Sequence, residues 1–227
     1  IFRRNCVSVM TYRYSGSDLV TGYWQKKDEY ASLQVKILKL SDWGTLSRTI
    51  PKYTGPNVGG SNIHNHEISK KWVDSMKEFI SAFIRIVFLS SKGMNIDQIV
   101  EHYVSEESME IFVRAFTHMS HNAIYNYESI EHHGDNLFRS HFSNFVHNRF
   151  RLITPQEASG YQLQYLSANY QSFWSDDLDL FPRMIKSSYV RDTNKAKTDI
   201  MESFFGAISL VARNYMPGFD HLVMENV

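Results

Sequence analysis

Asn126-Tyr127-Glu128-Ser129-Ile130-Glu131-His132-His133-Gly134-Asp135 sets Glu131 and Asp135 four residues apart. A second acidic pair, Asp199 and Glu202, lies three residues apart towards the end of the chain. Spacings of three and four put side chains on one helical face, one turn apart. Two helices that each offer two carboxylates can enclose a pocket of four negative charges. Like charges held that close repel and take up protons unless divalent cations occupy the pocket. Proteins hold Mg²⁺ for phosphodiester chemistry in such acidic pockets. Acidic pairs at these spacings also decorate ordinary solvated helix faces, so the surrounding residues must decide.

Outward from that stretch the period is helical. Tyr127 to Arg149 reads as one long helix, with Leu137, Phe138, Phe142, Phe145 and Val146 set for burial. Upstream, Trp72, Met76, Phe79, Ile80, Phe83, Ile84 and Val87 recur at three and four, the stripe of an amphipathic helix. Ile96 to His102, with Asn95 as cap, and Glu107 to His118 read as further helices. Thr154, Pro155 and Glu157 form a helix start with N-cap, N1 and N3 residues in place. Lys195 to Asn214 is the last strong helix, ended by Pro217-Gly218. Residues 69–227 therefore read as all-α.

The first 68 residues read differently. Val7 to Tyr14 and Ser32 to Leu40 alternate apolar and polar residues, as half-buried strands do, with turns at Ser15-Gly16-Ser17-Asp18 and Lys26-Lys27-Asp28-Glu29. Pro51 to Asn65 is a loop or linker rich in glycine and proline. The expected organisation is a small β-containing N-terminal extension and linker over 1–68, followed by a mainly α domain over 69–227. No internal repeat or low-complexity tract is present.

Composition narrows the class. With 227 residues and 43% apolar content, the chain suits one large globular domain with an appendage. Phe79 to Leu89 is its best apolar run, but Arg85 interrupts it and it is too short to span a bilayer. The lone Cys6 fits an intracellular, reducing compartment: cytoplasm, nucleus or organelle matrix. The chain starts at Ile1, which reads as a processed or trimmed N-terminus. Twenty-four basic and 24 acidic side chains cancel, so a global basic excess for nucleic acid is excluded. RNA affinity would come from a local basic surface, a partner or a further module, since no double-stranded RNA-binding module is read before Val227.

Asn126 to Asp135 resembles the signature of the ribonuclease III family, usually written N-[E/Y]-R-L-E-F-L-G-D. Ala115-Phe116-Thr117-His118-Met119-Ser120 resembles the family's A-[LF]-T-H-x-S segment. Lys195-Ala196-Lys197-Thr198-Asp199-Ile200-Met201-Glu202-Ser203-Phe204-Phe205-Gly206-Ala207 resembles K-x-x-A-D-x-x-E-A-[FY]-[IL]-G-A. The three matches come in the family's order and cover roughly residues 96–224. The resemblance implies a helical endonuclease domain in which Glu131, Asp135, Asp199 and Glu202 are the catalytic, metal-binding carboxylates. Glu128 and Lys195 are the supporting or substrate-binding candidates beside them. The implied cofactor is Mg²⁺, for which Mn²⁺ can substitute, and hard carboxylate oxygens suit both. The implied activity is hydrolysis of double-stranded RNA by a metal-activated water, leaving 5′-phosphate and 3′-hydroxyl ends. Each site would cut one strand, so the expected partner is a second ribonuclease III-like subunit, as homodimer or heterodimer. The rival expectation is a non-catalytic ribonuclease III-fold subunit of a ribonucleoprotein, favoured by the neutral charge and opposed by the four intact acids.

Other residues carry their own expectations. His132 and His133 stand where the family has two apolar residues, the first of them at its dimer junction, which puts the usual symmetric dimer in question. Ser129 replaces a common arginine and removes a structural ion pair. Gly134 implies a close helix–helix contact or room beside the site, and Gly206 a packing role. His64-Asn65-His66-Glu67 reads as polar linker, and His118 as structural, hydrogen-bonded near the site. Lys195 or Lys197 faces the phosphate or a site carboxylate, while Arg139, Arg149 and Arg151 could touch an RNA backbone. Tyr161, Tyr165, Tyr170, Phe173 and Trp174 are expected in the core rather than stacked on bases.

Overall fold

The computed structural model describes residues 51–53, 68, 70–88, 94–216 and 218–219. The strands and turns expected before residue 50, the linker around Gly59-Gly60 with its histidines, and Pro217 lie outside the described residues. Among these, the elements are helices α1 (Lys70–Val87), α2 (Ile96–Tyr103), α3 (Glu106–Phe116), α4 (Glu128–Arg149), α5 (Pro155–Tyr165) and α6 (Ala168–Asp177). A single 3₁₀ turn (Phe181–Arg183) and helix α7 (Asn194–Tyr215) follow. All belong to one unit, Ile50–Asn226, and its described part is mainly α.

The helix starts are written in the sequence. Asn95 caps α2 by accepting from the Gln98 amide at 3.3 Å. Thr154 and Glu157 form a reciprocal capping box at α5, with Pro155 in the first turn. Two of the boundaries that differ from the sequence expectation have a visible cause. Helix α3 stops at Phe116, short of His118, because the chain turns extended at Thr117 and leaves the helix for a parallel bridge. There the His118 amide donates to the Ile185 carbonyl at 2.9 Å and the Ile185 amide to the Phe116 carbonyl at 2.8 Å. Helix α4 begins at Glu128, whose amide is taken by the Asn126 side chain at 3.0 Å.

Helix α7 is the centre of the unit. Every residue from Thr198 to Ser209 is buried, so the helix is covered on all sides by α3, α4 and α6, with α2 beside its later turns. The stripe of α1 supplies Trp72, Met76, Phe79, Ile80, Phe83 and Ile84 to this core, while Val87 stays half-buried. Phe79, Phe83, Phe112 and Phe116 surround Phe204 at ring separations of 5.0–6.4 Å. Such aromatic contacts add to the area that each ring removes from water. Polar groups on the flank are satisfied from neighbouring helices: Ser203 donates to the Ala115 carbonyl at 2.8 Å, and the Tyr103 hydroxyl to the Ile208 carbonyl at 3.0 Å.

Of the aromatic run, Tyr161, Tyr165 and Trp174 are buried and Tyr170 is half-buried, as expected. Phe173 is the exception at 66% exposed, because it lies on the face of α6 turned away from α7. Pro51 to Tyr53, placed in the N-terminal segment by sequence pattern, are tied to the helical unit. The Pro51 carbonyl accepts from Arg183 Nη2, and the Tyr53 amide donates to Asp179 Oδ2 at 2.6 Å. Arg183 is fully buried, its guanidinium 4.3 Å from the Phe79 ring centre, and burial brings its pKa down to about 10.

Candidate functional site

Helices α4 and α7 cross at two glycines. A Cβ on Gly134 would fall on the Glu202 carbonyl, and a Cβ on Gly206 on the Ile130 carbonyl. Each glycine lets the partner's backbone approach where the partner carries an acid at or beside the contact. Gly134 therefore has the helix-contact role expected from sequence, and so does Gly206.

That crossing sets Glu131 against Asp199 and Glu202. Each offers a carboxylate oxygen, and the three oxygens lie within 4.8 Å of one another. Burial makes the proximity costly. Asp199 is 8% and Glu202 6% exposed, on a helix without a solvent face at that level. Desolvation first, then the charges of Asp135, Glu131 and Asp199, push the Glu202 carboxyl up to about 8. Desolvation and Asp199 raise Glu131 as well, with Lys195 opposing.

The remaining expected residues are placed around this trio. Asp135 is not among the converging oxygens; Arg139, one turn on, holds both of its oxygens through Nε at 3.0 and 2.9 Å. Lys195 Nζ donates to Asp199 Oδ1 at 2.9 Å, and this hydrogen bond raises the lysine pKa. Lys197 turns away to Asp176 and Asp192 at 2.8 and 2.9 Å. Glu128 is exposed at the start of α4, outside the trio. Arg149 is half-buried and Arg151 exposed, both beyond the site's end of α4.

The segment before α4 is knitted to the site. Asn126 donates to the Asn122 and Ala123 carbonyls at 3.2 and 3.1 Å as it caps α4. His118 Nδ1 sits 2.9 Å from the Ser120 amide and 2.8 Å from its hydroxyl, in the structural role expected of it. Its ring packs on Tyr127, whose hydroxyl donates to Asp199 Oδ2 at 3.4 Å. Burial and the neighbouring acids raise the Tyr127 pKa, so the phenol stays a donor. Ser129 accepts from Arg114 Nη2 at 2.7 Å. His132 is exposed, with Asn136 Nδ2 3.3 Å from its Nε2.

Sequence reading missed two neighbours, Tyr127 and Gln171. Gln171 is fully buried on α6, in the row with Trp174, Ser175 and Leu178 that faces the core. Its signal was a polar amide at a core-stripe position. The donor set fits a hard divalent cation: carboxylate oxygens from two helices, an orphaned buried amide beside them, and acids whose ionisation needs a counter-charge.

No family model matches the chain. A curated protein of Invertebrate iridescent virus 6, named "Putative ribonuclease 3", is 30% identical over 154 residues, covering 65% of this chain and 51% of that protein. The chain thus spans about half the length of this relative. The nuclease domain of ribonuclease III from Campylobacter jejuni superposes with a TM-score of 0.48 and 16% identity, over 56% of this chain and 87% of that one. The chain is thus similar in sequence to a protein named as a ribonuclease 3, and its motifs around Thr117, Glu131 and Asp199 resemble those of ribonuclease III.

Proposed function

We propose that the chain is a divalent-metal-dependent endoribonuclease that hydrolyses double-stranded RNA, leaving 5′-phosphate and 3′-hydroxyl ends. The observation that carries this reading is the convergence of Glu131, Asp199 and Glu202 within reach of one cation, on helices whose glycines fix their crossing. The likeness to ribonuclease III supports it. In this reading Glu131, Asp199 and Glu202 hold Mg²⁺ or Mn²⁺, and Asp135 joins them when Arg139 lets go. The cation supplies activation of a water for attack on phosphorus and offsets the charge that builds on the phosphoryl oxygens.

The chain's own residues do the rest. Lys195, 81% exposed at its side chain, neutralises Asp199 without the ion and is free to turn to an entering phosphate. Arg139, 61% exposed, does the same at Asp135. Tyr127 holds Oδ2 of Asp199, so its Oδ1 keeps one direction. In this reading Glu128, exposed at the start of α4, would orient water or a ribose hydroxyl. These local cations give RNA a docking point that the zero net charge does not. Cutting both strands of a duplex calls for a second site, supplied by another ribonuclease III-like subunit.

The test is cleavage of long double-stranded RNA by wild type and Glu202→Gln, with Mg²⁺ and with Mn²⁺ at low salt. Cleavage by wild type that Glu202→Gln lowers at least about a hundredfold is the expected result. No cleavage by folded wild type with either ion, or equal cleavage by the variant, would overturn the proposal.

A further inference from the structure

Gln171 has no exposed surface, and α6 packs it against α7. Its place along α7 is fixed one turn earlier, where the Thr198 hydroxyl donates to the Ala168 carbonyl at 3.1 Å. That bond brings the first turn of α6 onto the turn of α7 that leads into Glu202. The Gln171 amide accordingly lies against the Glu202 carboxyl and eases its raised pKa. Yet neither its Oε1 nor its Nε2 completes a hydrogen bond of full geometry among the described residues. The amide is in place beside the carboxyl, but the contact falls short of full hydrogen-bond geometry.

An unsatisfied buried amide is a liability, and methionine or leucine would fill the same volume without it. The neighbouring surface is apolar: Trp174 packs on Phe138, and Phe138 on Phe205. Packing alone therefore gives no reason for an amide here. The site does. Glu202 must present one oxygen to a cation while its other oxygen, out of water, needs a donor. A lysine or arginine would meet that need with a permanent charge that competes with the cation, as Lys195 does at Asp199. A glutamine donates without adding charge and has the length.

We propose that Gln171 is a positioning residue of the cation site: its amide donates to one oxygen of Glu202, leaving the other directed at the ion, and this bond closes when the site is loaded. The inference rests on the cation-site reading above and goes beyond it to a residue outside the acidic motifs.

The test pairs Mn²⁺ titration calorimetry with melting of the ion-free protein, on wild type, Gln171→Met and Gln171→Leu. The expected result is a loss of Mn²⁺ affinity on the order of tenfold in both variants. Their ion-free melting temperature should be equal to wild type or higher, because two unmet polar atoms have been removed. A purely structural amide gives the opposite pattern, a lower melting temperature with unchanged Mn²⁺ affinity, and that would overturn the inference. Two replacements are used so that misfolding of one leaves the other to decide. Wild type that binds no Mn²⁺ would bring down the site reading and Gln171 with it. Wild-type binding that neither variant weakens would remove Gln171 alone.

Discussion

Helices α4 and α7 each bring an acidic pair to the same place, and Asp135 on one and Glu202 on the other are treated in opposite ways. On α7 the pair sits in a helix buried all round, where Asp199 and Glu202 cannot spread their charge into water. On α4 the pair lies at the edge of a one-sided helix. Asp135 keeps some exposure, and Arg139 closes on it from the next turn. Glu202 therefore stores unfavourable charge, whereas Asp135, like Asp199 with Lys195, disposes of it with a cation from its own helix. The difference shows why similar spacing in a sequence can encode two jobs: a buried carboxylate facing only other acids waits for an external counter-ion, whereas one with a basic residue a turn away recruits that side chain.

The sharpest way to break the comparison is to separate the helices. Gly134→Ala puts a methyl group into the Glu202 backbone, which cannot step aside as a flexible side chain would. Alanine gains about 1 kcal/mol of helix propensity, but overpacking against backbone lies at the upper end of its range. The expected net cost is about 3 kcal/mol or more in denaturant unfolding. Mn²⁺ affinity should fall with it, because the trio is drawn apart. Gly160→Ala is the control: it lies in α5 with nothing within 4 Å of the new methyl and should gain up to about 1 kcal/mol. Equal effects at Gly134 and Gly160 would show that the crossing does not set the site.

The stored charge on α7 has its own signature in pH. Folding raises the Glu202 pKa from its ordinary 4.5 to about 8, so the folded state holds the proton more tightly than the unfolded chain does. That contribution to stability is whole below about pH 4.5 and is lost as pH rises through about 8. The ion-free protein should therefore lose melting temperature across this window. Glu202→Gln, which cannot ionise, should flatten the decline. Mn²⁺ should reverse it at pH 8, since a bound cation favours the ionised acid. A flat profile in ion-free wild type would mean that Glu202 is not under strain from its neighbours.

How much of this could be read from the chain alone follows from the same contrast. The acids, glycines and caps were legible because each is a local rule: Thr154 needs only Pro155 and Glu157, and Glu131 and Asp135 only their spacing. The all-round burial of α7 was half legible, in the nearly continuous apolar run from Phe204 to Ala212. What could not be read was which acid meets which counter-charge. Arg139 stands four residues from Asp135 and could as well have faced RNA; in the fold it lies back along α4 on that carboxylate. Gln171 was hidden further, because its meaning depends on a helix 31 positions away in sequence and on the Thr198–Ala168 contact that sets the register. The end of α3 was misjudged for a similar reason, since the bridge from Thr117 to Ile185 joins segments that no local pattern links.

The smallest expected effect tests the α4 side. If Arg139 serves as the built-in cation of Asp135, then removing it leaves that carboxylate without a partner and free to turn towards the trio. Arg139→Ala should strengthen Mn²⁺ binding by about two- to fivefold, the scale of a partly exposed ion pair. Stability should change by less than about 1 kcal/mol, because the guanidinium is mostly in solvent. RNA binding should move the other way and weaken, with a shallower dependence on salt, as one phosphate contact is lost. The opposing signs separate this role from a purely structural one, which would leave ion affinity unchanged. Weaker Mn²⁺ binding in the variant would instead mean that the pair holds Asp135 in its working position, and that α4 too keeps its acids for the ion.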